Sequence, residues 1–376
     1  MIFLKALSVF LSMVIGVGIF SLPYMASKTG FFVVLPYLFF TSFIVICVHF
    51  FYAEVALQTE EKYRLPGYVK KYLGKGFKEI SFAIILLGFL GATLAYLVVG
   101  GSFLANLLIP YFGGNLAIYT FIFFVLGSFF VFLDIKSISR LSLCLVFALF
   151  VILAVLLAES FKLINFGSFL YFDSKTLFLP YGPILFSLWG SAIIPEIEEI
   201  FISGNYSKEE IRKKVKAVVF WGIIISAIVY LIFIFSVLGV SGSNTSKEAI
   251  SGLQGRISPF IINLLFIFGV ISCFNGFVAI SLTLKKTLWF DFRISKNISW
   301  ALACFVPAVI FILGAREFIK IISFTGSFIL GFEGIVMFFL YRACLKKNLL
   351  KKVNPLSYIL AGVFLIGVLF QIYYLL

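Results

Sequence analysis

The sequence predicts an all-α polytopic membrane protein, and three observations carry that expectation. Hydrophobic residues make up 62% of the 376 and charged residues 12%, with a mean hydropathy of +1.15. A soluble domain of this length could not hide so much apolar surface. The apolar residues gather into eleven stretches close to the ~20 residues that cross a bilayer as helix. The ~10-residue alternating segments of a membrane barrel are missing. The spans are expected at 4–27, 31–57, 80–109, 117–133, 141–158, 179–203, 217–240, 257–284, 298–313, 318–341 and 355–375. All belong to one transmembrane domain over 1–376, because no loop is long enough to hold a soluble core.

The first span is interrupted. Residues 14–25 read VIGVGIFSLPYM. Gly16 and Gly18 loosen the helix, and Pro23, lacking an N–H, is expected to leave the Ile19 carbonyl without its usual partner. Free backbone at membrane depth is costly unless it lines a cavity or binds something, so the segment points to a site at mid-membrane. No small-residue cleavage site follows it, and it reads as retained helix rather than a signal peptide. Residues 58–79 mix charge with Tyr63, Leu65, Tyr68, Val69 and Tyr72, the pattern of a short interfacial helix. The fifth span carries no Lys or Arg, which excludes a lysine cation mimic there.

The sixth span holds a second interruption, LFSLWGSAIIPEIEEI at 185–200. Gly190 and Ser191 weaken the helix, while Pro195 and Glu196 suit the first turn of a new one. The segments 1–158 and 179–341 then each hold five spans and each open on a broken helix, with 355–375 as an extra eleventh. Five is odd, so the second half enters from the opposite side: a 5+5 inverted repeat with its site between the two breaks. The loop 241–256 is polar and rich in Ser and Gly, and a short helix after Thr245 is expected to form an outer lid.

The formal charge of +14 is a topology signal. With the N-terminus in the cytoplasm, the inner side collects Lys5, six Lys or Arg in 58–79, two in 134–140, five in 204–216, four in 285–297 and five in 342–354. That is 23 of the 30, as the positive-inside rule requires for N-in, C-out. The basic loops are therefore expected to face anionic lipid at the plasma (inner) membrane, not nucleic acid. Five cysteines (Cys47, Cys144, Cys273, Cys304, Cys344) and one histidine, His49, form no disulfide framework and no metal spacing. With no Ser/His/Asp set either, an enzyme is not expected, and neither is a cofactor.

A resumed first helix would aim unpaired N–H groups and a positive dipole end at the break, a place for a substrate carboxylate. Carbonyls around Ile15, Gly16 and Ile19, and from Ser187 to Trp189, would accept an ammonium. The first span lacks Asp and Glu, which argues against a bare amine or a metal and for a zwitterion. The substrate-binding candidates are Ile15, Gly16, Val17, Gly18, Ile19, Tyr96, Ser187, Leu188, Trp189, Gly190, Ser191 and Asn275. The coupling candidates are Glu54, Glu196, Glu333 and Ser272, since acids buried in apolar spans are expensive. Glu198 and Glu199 are expected to reach the inner interface and meet Lys or Arg there, with Glu196 and Glu199 on one helix face.

GVGIFSLP at 16–23 resembles the first-helix signature of amino acid permeases in the amino acid–polyamine–organocation superfamily. HFFYAEVALQT at 49–59, YRLPGYVKKYLG at 63–74, WGSAIIPEIEEI at 189–200 and LGVSGSNTSKEAISGL at 238–253 extend the likeness. It is strongest to the aromatic and hydroxy/aromatic amino acid permease branch. The resemblance implies a LeuT-like fold with discontinuous helices 1 and 6, alternating access, and symport with H⁺ or Na⁺. It also implies that Ile15 to Ile19 and Ser187 to Ser191 hold the substrate backbone, and that a helix 8 hydroxyl such as Ser272, Ser281 or Thr283 faces helix 1 carbonyls. A secondary active amino acid transporter is thus the expected function. The alternatives are a carrier of the same fold for a nucleobase or osmolyte, or a transporter-like sensor.

Overall fold

A computed structural model describes residues 2–61, 63–134, 139–204, 206–347 and 356–375. Some charges of the inner-side count, such as Lys62 and Lys351, lie outside the described residues. The described chain is helical, with one isolated bridge, Ser246 to Ala249. Helix 1 comprises 1a (Ile2–Val14) and 1b (Val17–Thr29), bent by 44°. Helices 2 to 5 run Phe31–Gln58, Lys75–Phe112, Leu116–Phe132 and Ser139–Phe161. Helix 6 comprises 6a (Tyr181–Leu188), a 3₁₀ turn Ser191–Ile193, and 6b (Ile194–Ile202). Helices 7 to 9 are Lys208–Ser241, Pro259–Lys286 and Lys296–Ile312. Helix 10 is Phe318–Lys347, with a π-helical stretch at Phe324–Leu330, and helix 11 is Leu356–Leu375. Six of these are long and apolar enough to cross a membrane, or seven with the bent pair, and all eleven fall on the expected spans.

The boundaries have local causes. Helix 1b stops at Gly30, whose φ of +108° is open to glycine but strained for other residues. Helix 7 begins nine residues before the expected 217. Ser207 and Glu210 form a capping box, and the charged first turns need no bilayer around them. Helix 3 likewise overshoots 80–109 at both ends. The expected loop helix forms at Leu65–Leu73, but Leu65, Tyr68 and Val69 are buried within the protein, so it is not an interfacial helix lying on lipid. The segment 241–256, expected to carry a short helix after Thr245, instead forms 3₁₀ turns at Gly242–Asn244 and Ile250–Leu253.

Helices 6a and 10 meet at glycines. A Cβ on Gly326 would lie 1.9 Å from the Gly182 carbonyl oxygen, so only glycine allows the π-helical stretch to sit there. Lys5, Arg64 and Lys286 line one vestibule, which marks a basic end of the molecule among the described residues. Arg64 there pairs with Glu196 at 3.0 Å and Arg212 with Glu54 at 2.8 Å. The buried Lys285 ammonium of helix 8 donates to the Val131 and Phe132 carbonyls and to Asp134, capping the end of helix 4. On the other side of the helix 1 break, Phe20, Phe103, Phe233 and Phe266 pack edge-on or tilted, with centroids 4.9 to 6.0 Å apart.

Candidate substrate-binding site

The two broken helices touch at the centre of the bundle. A Cβ on Gly18 would come within 2.3 Å of Ser187 Oγ and 2.8 Å of Ser187 Cα; a Cβ on Gly16 would lie 2.2 Å from Tyr96 Oη. Here glycine is required for space rather than for backbone torsion. The hydroxyl of Tyr230 on helix 7 lies 2.9 Å from the Val14 carbonyl and 2.6 Å from the Ser187 carbonyl, the C-terminal ends of 1a and 6a. One hydroxyl proton serves both acceptors in turn, so a single side chain ties the two half-helices together.

The helix 1 break differs from expectation in one respect. The chain resumes as a 3₁₀ turn, Val17–Ser21, and the Leu22 N–H bonds the Ile19 carbonyl. The i→i+3 pattern thus supplies the partner that Pro23 cannot, and the Ser21 hydroxyl satisfies the Gly18 carbonyl at 2.6 Å.

Side chains hold the helix 6 break. The His49 imidazole is fully buried; Nδ1 lies 2.7 Å from the Val45 carbonyl, and Nε2 accepts the Gly190 N–H at 3.2 Å. These partners set the neutral tautomer with the proton on Nδ1. Glu333 of helix 10 accepts the Ser191 hydroxyl at 2.6 Å and the Trp189 indole N–H at 3.2 Å, both through Oε1. The indole is flanked by His49 and by Phe364 of helix 11, with ring centroids 5.3 and 6.0 Å away.

A central cavity runs between these breaks. Gly16, Val17, Gly18, Tyr96, Ser187, Trp189, Ser191 and Glu333 all line it, among walls that include Ile85, Phe89, Phe186 and Leu330. It continues past Met13, Ala192 and Thr283 into a vestibule of ≈ 890 Å³ at the basic end, where Glu196, Glu199 and Arg64 sit. A third cavity of ≈ 20 Å³, about the room one water or small ion needs, is lined by Ser12, Ile15, Gly16, Ser272 and Asn275. Ile19, Leu188 and Gly190 are buried beside the site without lining these cavities. Glu54 lies away from them, paired with Arg212 and Lys216.

Tyr230, Tyr52, Arg64 and the packing role of Phe364 escaped the sequence reading. A lone tyrosine in an apolar helix or an arginine in a loop gives no signal of what it will meet. Glu333 also qualifies the argument from the missing carboxylate: helix 1 has none, but helix 10 supplies one to the same cavity.

Comparisons with known proteins bear on the fold and the family. A tyrosine-specific transport system of Haemophilus influenzae is 24% identical over 335 residues, covering 83% of this chain and 81% of that protein. A glutamine transporter of Aliivibrio fischeri is 23% identical over 344 residues, with 87% and 83% covered. Among solved structures, MhsT in complex with L-phenylalanine superposes with a TM-score of 0.67 at 15% identity, covering 98% of this chain and 97% of MhsT. Mhp1, a nucleobase-cation-symport-1 family transporter in a closed conformation with bromovinylhydantoin bound, also gives 0.67 at 15%, covering 90% and 78%. These likenesses establish the LeuT-like fold with broken helices 1 and 6 and an added eleventh helix. The model of the tryptophan/tyrosine permease family matches residues 2–374, and the chain belongs to that family of membrane-embedded secondary transporters of amino acids.

Proposed function

We propose that the protein takes up a neutral aromatic amino acid by symport, with the substrate held between the two helix breaks. The observation that carries this reading is the contact of Gly18 with Ser187 at the head of a cavity walled by Phe89, Phe186, Tyr96 and Trp189. The Gly18 N–H at the start of 1b has no intrahelical partner and sits at the positive dipole end, so it takes the substrate carboxylate, beside the Val17 N–H that meets the Tyr96 hydroxyl. The carbonyl ends of 1a and 6a face the ammonium. The aromatic walls suit a flat ring, and one relative is a tyrosine-specific system.

The coupling ion in this reading is sodium, placed in the small cavity where Ser272 faces Ile15 and Gly16. Arg64 and Arg212 pair with Glu196 and Glu54, so a proton-coupled cycle would fall to Glu333, and the separately imposed gradients below decide between the two ions. With the basic end in the cytoplasm, as the charge asymmetry favours, the vestibule opens inward and the phenylalanine cluster closes the outer side. Residues 1–158 and 179–341 act as the two inverted halves, with the N-terminus inside and the C-terminus outside the plasma membrane.

The test is reconstitution in liposomes with labelled amino acids under separately imposed sodium and proton gradients. Sodium-stimulated accumulation of tyrosine, tryptophan or phenylalanine is expected. Uptake driven by protons alone would remove the sodium assignment, and uptake of glutamine but no aromatic would remove the substrate class.

A further inference from the structure

The eleventh helix reaches the central cavity through the π-helical stretch of helix 10. Ser327, inside that stretch, places its hydroxyl 2.5 Å from the Ser323 carbonyl oxygen and 2.6 Å from the Gln371 side-chain amide of helix 11. A hydroxyl has one proton and cannot serve two acceptors, so the amide presents its nitrogen: Gln371 donates to Ser327, and Ser327 donates to Ser323. Both residues are buried. Helix 11 then follows the α-helical part of helix 10. A Cβ on Gly331 would lie 2.8 Å from Val368 Cγ2, and one on Gly334 would lie 2.7 Å from Phe364 Cζ. One helix thus grips the other on both sides of the π-to-α junction.

The junction matters because of what the other face of helix 10 presents. Thr325, Leu330 and Glu333 all line the central cavity, and Leu330 and Glu333 follow Thr325 by five and eight residues. On an unbroken α-helix, at about 100° per residue, they would point about 140° and about 80° away from it. A π turn, bonded i→i+5, holds one residue more than the α turn it replaces. With that residue absorbed the offsets shrink to about 40° and about 20°, and the three side chains share the cavity face. We infer that Gln371 is a positioning residue: its bond to Ser327 locks the π turn, and the turn sets the register that brings Glu333 to Trp189 and Ser191. The contact of Gly326 with the Gly182 carbonyl fixes where along helix 6a the stretch sits; Gln371 fixes that it stays π. The inference rests on the proposed function only in taking this cavity as the substrate site.

The experiment compares the wild type, Gln371→Met, a deletion of Phe328, and the two changes together. It measures KM and Vmax for tyrosine uptake, and the emission of Trp189 with Trp221, Trp289 and Trp300 replaced by phenylalanine. Gln371→Met keeps the side-chain volume and removes the bond, which corresponds to about 3- to 10-fold in KM. That rise is expected with Vmax per folded transporter unchanged. The Trp189 emission should move toward that of Glu333→Gln, because the indole N–H loses its carboxylate. Phe328, whose ring packs on Phe324 and Phe332, is the residue to remove. Its deletion converts the π turn to an α turn while leaving Thr325 and Glu333 on one face, so no lock is needed. Adding it to Gln371→Met should therefore restore both KM and emission, a rescue that a mere packing role for Gln371 does not give. Wild-type KM or wild-type emission in Gln371→Met overturns the inference, and so does a change that the deletion leaves uncorrected in a folded protein. Where the deletion protein does not fold, the Gln371→Met emission decides: a spectrum matching Glu333→Gln supports the lock, and an unmoved one removes it. Failure of the wild type to take up any aromatic amino acid defeats the proposed function, while the emission still reads the register of helix 10.

Discussion

The two interruptions that make the site are held by different physics. At helix 1 the break is a matter of fit: Gly16 lies under Tyr96 and Gly18 against Ser187, and backbone groups satisfy one another through the 3₁₀ turn. At helix 6 the break is a matter of polar satisfaction: His49 accepts the Gly190 N–H, and Glu333 accepts from Ser191 and Trp189. In the proposed site, the first arrangement offers bare backbone to a substrate and the second fixes side chains around it. Mutations at the first should therefore cost binding, and mutations at the second should cost stability or selectivity.

The largest effect is expected at helix 1. Gly16→Ala puts a methyl 2.2 Å from Tyr96 Oη, and the ring must move out of its place in the cavity wall. Overpacking of this kind costs about 1–3 kcal/mol, so substrate KM should rise about 5- to 150-fold. Because the ring carbon Cζ would be 3.3 Å away, Gly16→Ala with Tyr96→Phe should recover much of the loss. A lack of rescue would show that Gly16 matters for its torsion and not for the contact.

An effect of comparable size, read in stability rather than in binding, is expected at helix 6. His49→Leu leaves the Gly190 N–H buried without an acceptor, which costs about 1–3 kcal/mol. The thermal midpoint in detergent should fall, and His49→Asn, which keeps an acceptor, should fall less. An unchanged midpoint would erase the contrast between the two breaks.

The smallest effect lies outside the spans, at Asp134. Burial raises its carboxyl pKa, but the Lys285 and Lys296 ammoniums more than offset this and hold it below the ordinary carboxylate value of 3.8. A depressed folded pKa means that the stabilisation is present above pH ~4 and is lost as pH falls through the folded value. Asp134→Asn should remove that stabilisation at neutral pH and leave the midpoint nearer the wild type's in acid. A variant that tracks the wild type at every pH would show that the pair contributes nothing.

Much of this was legible in the sequence because the membrane constrains it so tightly. Span count, the breaks near Gly16 and Gly190, and the candidates Tyr96, Trp189, Ser191 and Glu333 follow from rules about backbone and charge in apolar surroundings, and the structure brings those four side chains to one cavity. What stayed hidden depends on tertiary placement. The register of helix 7 that brings Tyr230 to two carbonyls, and that of helix 2 that aims His49 at Gly190, leave no local trace. The Ile19 carbonyl was misjudged because an α-helical count was applied to a 3₁₀ turn. The eleventh helix looked peripheral, yet Phe364 backs the indole that holds Glu333.

The central claim, that the substrate backbone lies where Gly18 meets Ser187, is tested most directly by equilibrium binding of labelled tyrosine to purified wild type and Gly18→Leu. A leucine side chain would fill the space now held open against Ser187. The account predicts saturable binding to the wild type and none to the variant, with both eluting as monodisperse folded protein. Wild-type affinity in a folded Gly18→Leu protein would contradict it.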